Sequence, residues 1–538
     1  MKDILPRIIV TGASGIVGRS FLEAARDKLK IYAIARRSQV EVHVDEHPNI
    51  KWIQVDIGNR KNLNRILNLH IKDKIDFVLH LAGYYDFDNV DNEEYNRTNV
   101  NGTRYVLEYS KKLNVKRLIF ASSVAASEFP GRNETINEKS TLNANYPYAR
   151  SKKEGEVLVQ EFSKHFPCSV VRFAAVFTDW CEYGPLYIFL KTWLSKKWNS
   201  KILAGKGLSA IPYIHTTCLC QILLSIFLES DNLPRYDVYI ASPDGSVSHK
   251  DLFEFSTRYY FGNRVKPVFS PKLFASIAVV AFDLFGRLMG KRPFERFWMM
   301  RYIDKTLNID SSYSRKTLKW SPTPRFIILR RLLYIIETMK SNPHLFHTKN
   351  TTALLRSSQR DNYIIYEVMV ELKDEINVGI KSALLDMKRK NEFSHYQNID
   401  IDNFNWDISV FYQLLTASVR NRDRMILLNY LRNILVPIRF KEGFEAHEVC
   451  NAILETGKIV IPILLKEPKL SGMKELVYDN IAMTIQLAVD EVENVFEALS
   501  EISSISQTPH RADVEHKLQE LATFYNGSEE EKRFKPKK

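Results

Sequence analysis

Cysteine is scarce: the chain has five in 538 residues, and only Cys218 and Cys220 lie close together. That count supplies neither a disulfide framework nor four thiolate ligands for zinc, so no metal site is expected and a reducing cytoplasm is the simplest setting. Long apolar runs are missing too. The best candidate, "LFASIAVVAFDLFGRLMG", is broken by Asp283 and Arg287 and is too short before the break to cross a bilayer. It reads as a core or dimer-interface helix, with a peripheral membrane contact through residues 273–289 as the alternative. The opening "MKDILPRIIVTGASG" lacks the apolar stretch and cleavage site of an export signal, which again points to the cytoplasm. Internal repeats and low-complexity tracts are absent.

What is present is a globular composition, 45% hydrophobic and 26% charged, which is enough apolar material for a real core. The length exceeds one ordinary domain and suggests two or three. The net charge of +13 is spread among many acids, so nucleic acid is not an expected partner. The densest basic cluster, "KRFKPKK", is a tail of the kind that stays solvated.

Along the first 320 residues, β-branched runs alternate with helical patterns: "RIIVTG", "IYAIAR", "IKWIQVD", "DFVLHLAG", "RLIFASS" and "CSVVRFAAVF". Strands separated by helices imply βαβ crossovers and a doubly wound parallel sheet covered on both faces, an α/β fold of Rossmann type. The polar segment "KSNPHLFHTKN" marks a boundary near residue 345. Beyond it, Ile365, Met369, Leu372, Ile376, Ile380, Ala383 and Met387 recur at helical spacing, as do Ile481, Ile485, Ala488, Val492, Val495 and Leu499. The expectation is a Rossmann domain with a small substrate-binding subdomain over 1–345, then a separate all-α domain over 346–538.

"TGASGIVG" joins the first strand to a helix, so Thr11, Gly12, Ser14, Gly15, Ile16 and Gly18 form a loop where a Rossmann fold holds a pyrophosphate. Glycine is needed because the turn is tight and the backbone must approach phosphates seated at a helix N-terminus. No GK[ST] follows, which excludes an NTPase loop. The second strand ends in Arg36 and Arg37, where an NAD site would usually offer an acid to the ribose 2′-hydroxyl; guanidinium matches a 2′-phosphate and favours NADP over NAD.

With "VDI", "HLAG", "NVNGT", "FASSV" and "YARSK" following in order, residues 6 to about 325 resemble the extended, epimerase-like branch of the short-chain dehydrogenase/reductase superfamily. The resemblance implies Tyr148 as general acid/base, Lys152 as its partner and also a ligand of the nicotinamide ribose, and Ser123 as the hydroxyl holding the substrate oxygen. It further implies adenine contacts from Asp56 and Ile57, a cofactor wall at Leu81, Ala82 and Gly83, a brace at Asn99, and nicotinamide-side contacts at Phe173, Ala174 and Ala175. A free phenol titrates near ~10, and a lysine ammonium one turn away together with the positive charge of an oxidised nicotinamide is expected to favour phenolate. "RFAAVFTDW" lacks the proline and glycine usual after the sixth strand, and "YIHTTCL" carries threonines in place of the acids of "FIHVDDL".

Val124 and Ala125 stand where dehydratases of this family carry an acidic pair, which argues against dehydration. The region "LMGKRPFERFW" to "DSSYSRKTLKWSPTPRF" is similar to that of 3β-hydroxysteroid dehydrogenase and dihydroflavonol reductase relatives, and Tyr84, Tyr85 and Phe87 are placed to line an apolar pocket. The expected function is an NADP-linked oxidoreductase acting on an apolar or semi-apolar small molecule. Nucleotide-sugar epimerisation and non-catalytic redox sensing are the alternatives. The helical domain is faintly similar to RsbR-type sensor domains in "FKEGFEAHEVCNAIL" and is expected to serve regulation or homo-oligomerisation; His447 within it reads as a solvated residue, not a haem ligand.

Overall fold

A computed structural model of the chain describes residues 5–39, 42–86, 89–131, 134–288, 294–355, 361–386, 392–421 and 423–505. The chain divides into two compact units, Met1–Gln359 and Arg360–Lys538.

The first unit is built on a seven-stranded parallel sheet. Its strands are β1 (Arg7–Thr11), β2 (Lys30–Ala35), β3 (Ile50–Gln54), β4 (Phe77–His80), β5 (Arg117–Ser123), β6 (Cys168–Phe173) and β7 (Tyr236–Ala241), in spatial order β7-β6-β5-β4-β1-β2-β3. The chain reverses direction across the sheet between β1 and β4, and the crevice at their carboxyl ends is where doubly wound folds bind ligands. All six strand segments quoted above lie in this sheet.

Alternation along each strand divides the core between the two faces. Ile8 and Val10 of β1 pack with Phe21, Leu22, Ile222 and Leu223 on one side, while Ile9 packs with Leu63, Leu107 and Val159 on the other. Each of these side chains is withdrawn from water, worth roughly 1.5–3 kcal/mol apiece.

Short paired strands lie outside the main sheet: Ala175–Phe177 with Tyr213–His215, and Ile202–Ala204 with Val268–Ser270. The "KSNPHLFHTKN" segment, expected as a boundary, is largely a helix, Pro343–Leu355. Proline is well tolerated at a helix start, where its missing N–H costs nothing.

The second unit is all helical, from Asp361–Glu371 and Lys373–Leu384 through Ile401–Asn421 and Ala446–Lys466 to Lys474–Ile505. Ile365, Met369, Ile376, Ile380, Ile481, Ile485, Ala488 and Val492 are all buried in one core. The stripe through Leu372 spans two helices, because Leu372 itself turns out of helical geometry at φ −93°, ψ 9°. Met387 lies outside the described residues.

Candidate functional site

The loop after β1 folds as its glycines require. Gly12 sits at φ +71°, and a Cβ there would lie 2.6 Å from the Ala82 backbone nitrogen. Gly18 packs directly on the backbone of Gly12 and Ala13. Helix α1 (Ile16–Ala25) begins beyond Gly15 without a side-chain cap, so its first N–H groups remain available to an anion. A cradle that any side chain would fill, closed by an uncapped helix end, fits a dinucleotide pyrophosphate.

Arg37 Nη2 donates to the Ser14 carbonyl at 2.5 Å, which holds its guanidinium against the loop. Trp52 and Gln54 of β3 and its end fix the carbonyls of Arg37 and Arg36 at 3.0 and 2.9 Å. Asp56 accepts from the Gly58 N–H at 2.8 Å and from Arg97 at 3.0 Å. Burial raises its pKa, but the charges of Arg36 and Arg97 outweigh that and hold the carboxyl below its usual range. Ile57 is buried beside it, against Gly102.

Beneath the cradle runs a buried chain that the sequence motifs did not single out. His80 Nδ1 lies 2.6 Å from Thr11 Oγ1, and its Nε2 lies 2.9 Å from Thr103 Oγ1. Thr103 donates to the Asn99 carbonyl at 2.6 Å, so it must accept from His80 Nε2–H, which leaves Nδ1 to accept from Thr11. Thr11 in turn accepts from the Ala82 N–H at 3.3 Å. Every polar atom in the chain is satisfied only when the ring is neutral. Burial, reinforced by the Lys152 charge, pushes His80 down to about 3. The available signal was a histidine inside the otherwise apolar strand "FVLH": a polar ring in a buried strand demands partners.

Asn99 is a brace. Its Oδ1 accepts from the Tyr84 N–H at 2.6 Å, and its Nδ2 donates to the Tyr84 carbonyl and to Ser151 Oγ, both at 2.9 Å. Both amide protons are thus used within the protein, and Ser151 donates onward to the Tyr148 carbonyl at 2.8 Å. The segment Tyr95–Asn101 is a π-helical turn, a geometry frequent at functional sites, and it delivers Asn99 between β4 and the helix Pro147–Phe162.

Ser123, Tyr148 and Lys152 come together at the carboxyl end of β5. Ser123 lies beside the Tyr148 phenol and favours its ionised form. Ser123 also accepts from the Ala125 N–H at 3.2 Å, capping the short turn Val124–Ala126. Lys152 Nζ donates to the Ala121 carbonyl at 2.8 Å and lies 5.7 Å from the centre of the Tyr148 ring. Gly83 lies beside Lys152 Nζ, at a distance where a Cβ would make ordinary contact at 3.4 Å. Leu81 and Ala82 continue the same wall from β4, the Leu81 N–H bonded to the Thr11 carbonyl at 3.2 Å.

Burial pushes Tyr148 up to about 12, Ser123 pulling the other way, and burial brings Lys152 down to about 8 against the attraction of Glu156. Burial is the largest cause of both shifts.

Aromatic side chains wall the space in front of Tyr148. Tyr85 meets its ring edge to face at 4.6 Å, and Trp298 stacks on Tyr146 at 6.4 Å. Tyr84 turns away to Asp86, its hydroxyl donating at 2.7 Å; Phe87 lies outside the described residues. Phe173 ends β6, the Ala174 N–H bonds to Ala241, and the Ala175 N–H to Pro212.

The two departures from the family pattern meet in one network. Asp179 of "FTDW" takes both nitrogens of Arg331 at 2.6 and 2.7 Å and His215 Nε2 at 3.0 Å. His215 Nδ1 caps the helix Thr216–Leu228 at the Thr217 N–H. Burial opposes ionisation of Asp179, but His215 and Arg331 overcome it and hold the carboxyl far below its usual range.

In the helical unit His447 is exposed and pairs with Glu445 at 3.0 Å; among the described residues no cluster of His, Cys, Asp and Glu could hold a metal ion.

Residues 8–240 match the model of the NAD dependent epimerase/dehydratase family. Relatives include a dTDP-D-glucose 4,6-dehydratase of Dictyostelium discoideum, 28% identical over 31% of this chain and 42% of that protein. A uronate dehydrogenase of Pseudomonas syringae is 28% identical over 28% of this chain and 51% of that protein. A UDP-glucose 4-epimerase of Yersinia enterocolitica is 31% identical over 30% and 49%. The chain spans about half the length of the curated relatives it matches. Among solved structures, the dTDP-glucose 4,6-dehydratase of Bacillus anthracis in complex with NAD aligns at 17% identity and a TM-score of 0.49, over 64% of this chain and 99% of that one. The glycine cradle and the Ser123–Tyr148–Lys152 cluster both lie within residues 8–240, the stretch that is similar to the NAD dependent epimerase/dehydratase family.

Proposed function

We propose that the first unit is an NADP-linked oxidoreductase that interconverts a carbonyl and an alcohol on an apolar or semi-apolar substrate. The observation that carries this reading is the juxtaposition of Ser123, Tyr148 and Lys152 at the carboxyl end of the sheet, with the glycine cradle on the same edge.

A bound nicotinamide dinucleotide would supply the hydride acceptor or donor. Gly12, Gly15 and Gly18 with the N-terminus of α1 would hold its pyrophosphate, and Arg36 and Arg37 a 2′-phosphate. Ser123 Oγ orients the substrate oxygen, and Tyr148 takes its proton during oxidation or returns it during reduction. Lys152 fixes the ring and stabilises the phenolate. Tyr85, Tyr146 and Trp298 exclude water and favour an apolar body on the substrate.

Dehydration is not supported, because Val124 and Ala125 form the turn beside Ser123 and bring no carboxylate. Epimerisation of a nucleotide sugar is the second reading. It needs the same three side chains, and several relatives are named as UDP-glucose 4-epimerases.

The test is incubation of the purified full chain with NADPH or NADH against a panel of aldehydes, ketones and UDP-sugars. Faster oxidation of NADPH with an apolar carbonyl supports the proposal. Interconversion of a UDP-sugar without net cofactor change selects the second reading. Saturable dinucleotide binding with no turnover of any substrate overturns both in favour of a non-catalytic sensor.

A further inference from the structure

The helix Lys272–Leu288 is built inside out. Its protein-facing side carries Ala275, Ser276, Val279, Asp283 and Gly286, small or polar groups, while large apolar side chains point outward. Leu273, Ile277, Val280 and Leu284 recur at helical spacing along the outer face; Leu273 is 69% exposed and Leu284 60%. Phe274 beside that stripe is 66% exposed. An ordinary surface helix shows the opposite pattern, and a core helix would not leave this face bare.

The surroundings say what covers it. The helix follows directly from the strand Val268–Ser270, which pairs in parallel with Ile202–Ala204, Val268 opposite Ile202. That pairing sets residues 194–208 beside residues 262–282, and these two stretches hold seven basic residues and no acidic one. The nearby acids are engaged: Asp304 accepts from the Lys206 and Leu208 N–H groups, Glu254 pairs with Arg264, and Asp283 lies 3.9 Å from Arg296. Trp198, flanked by Lys196, Lys197 and Lys201, is 77% exposed. Large apolar side chains with an interfacial tryptophan and a lysine-rich rim are complementary to a bilayer surface bearing anionic headgroups.

We propose that the protein docks on anionic membranes through this helix, lying in the plane of the headgroups with Leu273, Ile277, Val280 and Leu284 inserted and Lys196, Lys197, Lys201 and Lys272 at the phosphates. Seventeen residues span about 26 Å along the surface. Among the described residues no helix is long and apolar enough to cross the membrane, and Asp283 on the inner face stays with the protein. The helix packs against the turn Phe297–Tyr302, whose Trp298 stacks on Tyr146, two residues before Tyr148. The docked helix thus adjoins, through its protein-facing side, the turn that carries Trp298.

The test is flotation of the full chain with phosphatidylcholine vesicles, with and without 30 mol% (about one lipid in three) phosphatidylglycerol, an anionic lipid. Binding is read without substrate or cofactor, so it stands or falls apart from the oxidoreductase reading. The expected result is flotation with the anionic vesicles, weakened about tenfold or more by high salt and by a K196E/K197E/K201E variant. I277E/L284E, placed on the exposed face, should abolish flotation while melting at the wild-type temperature. Two results overturn the proposal: no flotation with either vesicle, including self-association that I277E/L284E abolishes, or anionic-vesicle binding unchanged in both variants.

Discussion

Replacing His80 with Gln removes a ring that the folded chain holds only in its neutral form. Thr11 donates to Nδ1, Thr103 accepts from Nε2–H, and the ring is fully buried, with its pKa near 3 through burial and the Lys152 charge. In the unfolded chain a histidine titrates near ~6.5. Because the folded value is depressed, the unfolded state takes up a proton that the native state refuses. The stabilisation is complete above about pH 6.5 and is lost as pH falls toward 3. At pH 5 the loss is RT ln(1 + 10^1.5), about 2 kcal/mol, and this figure does not depend on the folded pKa as long as it lies below 5. His249, held down to about 4 by burial against the pull of Asp304, adds a similar slope in both proteins and cancels from the comparison. The assay is urea unfolding of wild type and H80Q at pH 7 and pH 5, following the transition that dinucleotide shifts, since two units need not unfold together. Glutamine costs about 1–3 kcal/mol at pH 7 by leaving a threonine poorly partnered. Between pH 7 and pH 5, however, wild type should lose about 2 kcal/mol more than H80Q. Equal losses would refute the neutral-ring chain.

Y148F should lower kcat by on the order of 10²–10⁴ while dinucleotide affinity, measured by calorimetry, stays within about threefold; a smaller effect on kcat removes Tyr148 from proton transfer. G12A must hold alanine at φ +71° with its Cβ against the Ala82 backbone, so it should cost about 2–4 kcal/mol in urea unfolding and weaken dinucleotide binding about tenfold or more. G15A, at φ −75°, should be far milder, and equal effects at the two positions would contradict the loop geometry. R37A should loosen NADP about tenfold or more in titrations and leave NAD nearly unchanged; parallel losses would show that the guanidinium supports the loop through Ser14 and does not read a phosphate.

The parallel sheet was legible because strands buried on both faces must be apolar throughout, and "RIIVT" or "CSVVRF" admits little else. β7, "YDVYIA", was not singled out. It is an edge strand paired only to β6, and Asp237 on it breaks the apolar signature. The glycine loop and the Ser, Tyr and Lys could be read because their chemistry requires fixed residue types at fixed spacing. His80 could not, since its role depends on Thr11, 69 residues away, and Thr103, 23 residues away, arriving at its two nitrogens. The helix Lys272–Leu288 shows the same limit from the other side. Its sequence gives an apolar helix, but which face points outward is decided by the strand pairing that precedes it.

The two shifts at Tyr148 and Lys152 have one cause. Burial favours the uncharged form of each group, lifting the Tyr148 phenol to about 12 and lowering the Lys152 ammonium to about 8. Neither is therefore poised for proton transfer near neutral pH by itself. Added positive charge beside the phenol would favour its ionised form, and under the proposed function an oxidised nicotinamide held by the glycine cradle would supply it. Glu156 works in the same direction from below. It raises Lys152 toward its charged form, and its own carboxylate is kept in place by Arg172 at 2.8 and 3.0 Å. The ion pair lies inside the protein, where removing one partner leaves the other charge uncompensated. The series Arg172, Glu156, Lys152 thus runs inward from β6, and the charge of Lys152 is favoured by the carboxylate that Arg172 holds.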